Sequence, residues 1–364
     1  MRERLWKKSE SKGWKALGVV IMAAVFICVI MAYSSSLMAA DNVIKLKFSS
    51  SFFPPEPPNV QAFHCLDLVE KKLKGRVEIK RFVGGTLGGP LEQLGLASTG
   101  SVDIISLHVD QYAQQLPLHQ ILCTEQLVGT EQGLANVTAL TYDIAETKAL
   151  FDAEQKRNKI KILHFFAQGD TGITTRFVPK SMADLKGKKI NVMTGYQRKV
   201  FNEVGWVPVN VQVPELYESL SRGVIEGIFL TAAAVVPLKF IEIGKAQVVF
   251  GPNSMNNSPL AFNLDSWNRL PKDVQQAFIE ASWETAQWSV QSTDNFIKGT
   301  YEQLEKKGAR LVKISKKESD AFFGVLFKYA TEEWLAKAKA AGVEKDSATI
   351  LKYWDQMKWG KWKK

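Results

Sequence analysis

Few residues in this chain are of a type and spacing that could do chemistry. Its four histidines, His64, His108, His119 and His164, are scattered. None forms the H-x-x-x-H or H-E-x-x-H arrangement that puts two imidazoles on one helix face, and no Cys-x-x-Cys is present, so a transition-metal site has no sequence support. Carboxylates such as Asp170, Glu203 and Glu226 show no acid/base spacing, and there is no G-x-S-x-G, P-loop or Rossmann glycine fingerprint. Neither turnover nor a cofactor is expected. Recognition chemistry remains. His108 follows the apolar run "VDIISL", and Asn191 lies in "DLKGKKINVMTG", a Lys/Gly-rich turn, an apolar strand and a loop that opens a helix. An amide donates and accepts at once, which suits a hydroxyl, amide or keto group of a ligand. An asparagine that only ties the loop before the helix is the competing reading.

The elements that would position these groups begin with an export signal. Arg2, Arg4, Lys7, Lys8, Lys12 and Lys15 precede an uncharged apolar run from Ala16 to Tyr33, then "SSSLMAAD". Cleavage near Ala40 is the preferred outcome, although Leu37 and Met38 fit the small-residue rule poorly and the run approaches the length of a membrane span. Residues 1–40 are thus a signal peptide or a membrane anchor at 16–33, and the remainder faces the periplasm. Without the six Lys/Arg and two Asp/Glu of that leader, the formal charge of +10 becomes +6, with no basic block suited to nucleic acid. Cys28 falls in the leader, and Cys65 and Cys123 read as two buried thiols. The closing stretch "YWDQMKWGKWKK" interleaves aromatics with lysines, and packing of its aromatics on the domain is preferred over a membrane or nucleic-acid contact.

Periodicity organises the rest. "IKLKFSS" (44–50), "RVEIKRF" (76–82) and "VDIISL" (102–107) read as strands, with helices between them ending at Gly75 and Gly100, a β-α-β-α-β order that predicts a parallel α/β sheet. The grammar restarts with strands at 159–166, 188–193, 207–212 and 224–230 and helices near 195–205, 214–222 and 232–240. From Leu270 to Gly308 one helix of about 37 residues would form a rod of roughly 55 Å, long enough to run across two lobes.

The stretch "GKKINVMTGYQRKVFNEVGWVPVNVQVPELYESLSRGVIEG", with "SMADLK" before it and "KFIEIGK" after it, resembles the extracytoplasmic solute-binding proteins of TRAP transporters, the DctP family. "GGTLGGPLEQLGLASTGSVDI" and "NLDSWNRLPKDVQQAF" extend the resemblance over most of residues 44–310. It implies an α/β, two-lobed periplasmic-binding-protein fold of the clamp type with a long helix spanning both lobes. Lobe I would comprise 43–168 with 255–295 and lobe II 169–254 with 296–345, leaving 346–364 as a basic aromatic tail. A small organic solute would bind in the cleft, and the closed form would dock on TRAP membrane permease subunits driven by an ion gradient, without ATP. Membrane contact would run only through the permease or an uncleaved leader; with the leader retained, the same clamp could instead act as an anchored sensor.

The resemblance also assigns a site. In most of the family the position of Asn191 is an arginine whose planar fork grips the substrate carboxylate. Several relatives carry a second arginine at the position of Thr171, whereas Arg176, five residues on, points to the opposite face of a regular strand. Arg198, one to two turns into the next helix, is the candidate replacement cation. Leu230 and Thr231 stand where Asn-Pro is frequent, and Val213 takes a place that is often aromatic, which makes that wall less polar. Thr194, Asp170, Ser51, Phe53 and His108 complete the expected contacts, with only one of Phe52 and Phe53 facing the cavity. Without the arginine an uncharged or aromatic ligand is expected.

Overall fold

The computed structural model describes residues 43–54 and 56–361; the leader, with its cleavage site and candidate anchor, and the last three residues of the basic tail lie outside the described residues. In chain order the elements are β1 (Ile44–Ser49), α1 (Pro57–Leu73), β2 (Val77–Phe82), α2 (Gln93–Ser98), β3 (Ile104–Ser106), α3 (Thr130–Thr138), α4 (Ala145–Arg157) and β4 (Ile160–Ile162). Then come β5 (Thr171–Thr175), β6 (Lys189–Val192), α5 (Gly195–Glu203), β7 (Val207–Asn210), α6 (Leu216–Arg222), β8 (Gly227–Thr231) and β9 (Ala246–Val249). The chain ends with β10 (Leu260–Asn263), α7 (Leu264–Arg269), α8 (Lys272–Lys306), β11 (Arg310–Lys313), α9 (Lys316–Ala340) and α10 (Glu344–Met357).

Two sheets result, one in the order β2-β1-β3-β10-β4 and one in the order β11-β9-β5-β8-β6-β7. The strands follow from alternation: in β1, Leu46 and Phe48 are buried while Lys45 and Lys47 are exposed, and the strand pairs in parallel with β2 from Ile44↔Val77 to Ser49↔Phe82. Neither sheet is wholly parallel as expected, because β10 runs antiparallel to β3 and β4, and β5 antiparallel to β8 and β9. Each odd strand returns from the other half of the molecule, so it enters its sheet from the opposite end.

The first sheet has a core built around Phe48, Leu66, Ile104, Phe151, Phe262 and Phe278. The second is covered on both faces: Ile173, Phe201, Phe229 and Phe322 on one, Leu216, Leu220, Ile228 and Phe240 on the other. Adjacent residues Ile228 and Phe229 go to opposite cores, as a period of two requires. Helix α8 has 35 residues, about 50 Å, and gives Val274, Phe278 and Ala281 to the first core but Leu304 to the second lobe. Helix α9 crosses as well: Phe322, Phe323, Leu326 and Phe327 pack in the second lobe, while Trp334 enters the first core and donates its indole N–H to Pro117 O at 2.8 Å. The end of the chain is a helix, α10, whose Ile350, Trp354 and Met357 fill the first core.

The helix expected over 232–240 does not form. Two short 3-10 turns, Ala232–Ala234 and Phe240–Glu242, replace it, because Pro237 lacks the N–H a helix interior needs and Lys239 takes a left-handed φ of 60°. Cys65 and Cys123 are both buried and unpaired, and burial pushes the Cys65 thiol up to about 12.

Candidate functional site

Strand register locates the cleft. Thr171 opposes Thr231, Gly172 opposes Val249 and Asn191 opposes Ile228, so the start of β5 and the ends of β6, β8 and β9 share one edge of the second sheet. The connections to the first lobe leave from that edge, before Thr171 and after Val249. In the first sheet Leu260 opposes Ser106, which puts the start of β10 level with the ends of β1 and β3. The candidate site residues lie at or near these two edges.

Two connecting segments, at Gly169 and at Ser254–Met255, lie side by side at the hinge, and the loop at Gln126 lies against them. Gln126 and Ser254 exchange backbone hydrogen bonds at 2.9 Å each, and Gly169 and Met255 pair in the same antiparallel manner. Helix α8 backs them: Thr293 Oγ1 donates to Ala167 O at 2.9 Å, and Ser289 Oγ accepts from Ala167 N at 2.9 Å. Gly169 is required here. Its φ is +82°, and a Cβ would stand 2.2 Å from Ile297 Cδ1.

On the first-lobe rim Ser51 Oγ and His108 Nε2 are 3.0 Å apart, and the Phe52 ring stacks on the imidazole at 3.8 Å. Burial pushes His108 below the ordinary imidazole range, against the opposing pull of Asp110. Phe53 points away and is 62% exposed, its ring lying where a side chain on Gly84 would go.

On the second-lobe wall Asn191 is fully buried. Its Oδ1 accepts from Val211 N at 3.0 Å, which ties β6 to the exit of β7, while its Nδ2 is buried without a partner. Thr194 is the N-cap of α5: its Oγ1 accepts from Gln197 N, and Gln197 Oε1 accepts from Thr194 N and Met193 N. Thr171 gives its backbone to Asn253, with Oγ1 buried and unpartnered. Thr231 Oγ1 donates to Gln168 O and accepts from Ala233 N. Leu230 is half-buried against the Leu216 core, whereas Val213 is exposed at the start of a short 3-10 turn.

The charged candidates fall elsewhere. Arg198 is exposed on α5 with no ion pair among the described residues. Arg176 sits past the far end of β5 beside Gly223, away from the cleft edge. Asp170 turns to the long helix, where its Oδ2 accepts from Tyr301 OH at 2.5 Å; Oδ1 has no partner, and burial pushes the carboxyl up to about 6. Among the described residues no cluster of three His, Cys, Asp or Glu could hold a metal ion.

Some structural contacts gave no sequence signal. Tyr196 OH, at the start of α5, donates to the buried Glu125 Oε2 at 3.0 Å, and Gln61 Nε2 donates to Ala167 O at 2.7 Å across more than a hundred residues. Such pairs have no local spacing to betray them. A cavity of about 730 Å³, bordered by Arg157, Lys159 and Arg269, lies at the opposite edge of the first sheet and is not the cleft.

Residues 50–337 match the family described as bacterial extracellular solute-binding protein, family 7 (DctP). The chain is 22% identical over 300 residues to the C4-dicarboxylate-binding protein DctB of Bacillus subtilis, covering 79% of this chain and 81% of that one. It is 24% identical over 271 residues to the 2,3-diketo-L-gulonate-binding periplasmic protein YiaO of Escherichia coli, covering 73% and 79%. Among solved structures, a TRAP periplasmic solute-binding protein from Desulfovibrio salexigens with bound orotic acid superposes with a TM-score of 0.73 at 19% identity, over 86% of this chain and 99% of that one.

Proposed function

This chain belongs to the DctP family of bacterial extracellular solute-binding proteins, and on that premise we propose that it is the periplasmic receptor of a TRAP-type importer, capturing a small organic solute between its lobes and handing it to a membrane permease. Family and fold are those of transport receptors, not of enzymes. Among the described residues no helix is long and apolar enough to cross a membrane.

The relatives named above bind acids: a C4-dicarboxylate and diketogulonate; the structural neighbour holds orotic acid. We read this chain as adapted to an uncharged ligand or one whose recognised group is neutral. The observation carrying that reading is Asn191, buried at the cleft edge where the resemblance implies an arginine, with an amide donor that has no partner. A hydrogen bond to a charged group contributes about 1.5–3 kcal/mol, and a carboxylate closed into the cleft without a cation would also lose its hydration. A neutral amide, hydroxyl or keto oxygen accepting from Nδ2 has no such cost. Half-buried Leu230 and exposed Val213 supply apolar surface for the rest of such a molecule.

Thermal unfolding against matched mono- and dicarboxylates and their amide or alcohol counterparts tests this. A ligand at 100 times its Kd adds about 2.7 kcal/mol, a shift of several degrees. The expected result is a shift with neutral compounds. A shift with carboxylates alone overturns the reading and means that another cation has taken the arginine's role.

A further inference from the structure

Where the hinge meets α8, a cavity of about 500 Å³ opens between Thr130 at the start of α3, the crossing segments at Asp170 and Asn253, and the helix from Asp294 to Glu305. We propose that this cavity is a second ligand site, distinct from the cleft, and that it takes a small aliphatic ammonium compound.

Charge is the first argument. Asp170, Asp294, Glu302 and Glu305 border the cavity against the single cation Lys298, which leaves three uncompensated negative charges. The carboxylates are not all satisfied internally. Asp294 Oδ1 accepts from Thr130 Oγ1 at 2.6 Å, but Asp170 meets only neutral donors, the Tyr301 phenol at 2.5 Å and its own backbone N–H, and its Oδ1 is buried without a hydrogen-bond partner. That the Asp170 carboxyl is raised to about 6 by burial is the mark of an anion without its counter-charge.

Shape and wall chemistry are the second. Val249, Pro252, Ile297 and Leu311 give the cavity an apolar lining beside its acidic end, which suits a hydrocarbon body with a cationic head. A metal ion fits less well, since no three of His, Cys, Asp or Glu come together among the described residues. Because the walls come from the hinge and from a helix that serves both lobes, an occupant opposes bending at this point.

Calorimetric titration of the purified protein with 1,4-diaminobutane, using 1,4-butanediol as the uncharged counterpart, tests the proposal. Saturable binding of the diamine and none of the diol is expected. Asp170→Asn should weaken the diamine roughly tenfold or more, and Glu302→Gln, on the exposed rim, about two- to fivefold. Asn191→Ala, in the cleft, should leave it unchanged. No diamine binding, equal binding of the diol, or binding indifferent to both carboxylate changes overturns the site. Loss of the diamine in Asn191→Ala would move it to the cleft and equally overturn it. A folding defect in Asp170→Asn leaves Glu302→Gln to decide.

Discussion

Asn191 can be tested by one side chain in each direction. Its Nδ2 is buried without a partner, so removing it in Asn191→Ala frees the protein of an unmet donor but takes away the ligand's hydrogen bond. The affinity for a neutral ligand should fall by about 1 kcal/mol, roughly fivefold, in calorimetric titration. Asn191→Arg should reverse the preference, with carboxylates binding and their amides not. Asp170 sets a pH dependence. Its carboxyl is raised from 3.8 to about 6, so the fold prefers the protonated form. The stability it contributes is complete below about pH 4, declines as the pH rises and is gone above about 6. Asp170→Asn, neutral throughout, should therefore gain in Tm relative to the parent protein as the pH rises from 4 to 6, with a constant difference above that. A difference that does not change over this range would show that Asp170 is not held protonated by the fold. The type of residue at 191 was legible from the sequence; the free amide was not, because it depends on Val211 N claiming Oδ1 from a neighbouring strand.

At the scale of elements, local signals worked where they were self-contained. Lys74 and Gly75 both take left-handed φ at the end of α1, as the glycine suggested, and α5 starts at a capping box. Helix α9 carried an equally clear start, since Ser315 Oγ accepts from Glu318 N and Glu318 reaches back to Ser315 N. The periodicity that organises the two lobes places no helix at 316–340, even though Phe322, Leu326, Ala330 and Trp334 recur at helical spacing. Strand β4 is shorter than the run 159–166 that announced it, because the chain leaves the sheet at Leu163 to become the hinge. The hinge yields its own prediction. Gly169→Ala would demand a left-handed alanine and drive a methyl into Ile297 and Thr293. It should cost about 2–4 kcal/mol, seen as a lower denaturation midpoint, and should weaken capture of whichever ligand the thermal screen identifies.

At the scale of the whole molecule, the last helix closes the first lobe. Helix α10 comes last in sequence, yet its fully buried Trp354 completes the first core, and Lys358 O accepts from Leu127 N at 2.9 Å beside the hinge. Trp354→Ala should cost about 3–5 kcal/mol, measured by chemical denaturation, whereas a dispensable tail would show no change. The sequence by itself determined the two-lobed α/β class, the family, the lobe-spanning helix and the residue type at position 191. Those properties rest on periodicity, turn chemistry and a continuous motif, all of which act between near neighbours in the chain. Only the tertiary structure decided which strands run antiparallel, that a second helix crosses between the lobes, and which polar atoms are left free. The pairing of Asp170 with Tyr301 joins residues 131 apart, and that of Glu125 with Tyr196 residues 71 apart. A buried hydrogen bond is made to whatever the packed core brings within 3 Å, and chain spacing carries no record of that distance.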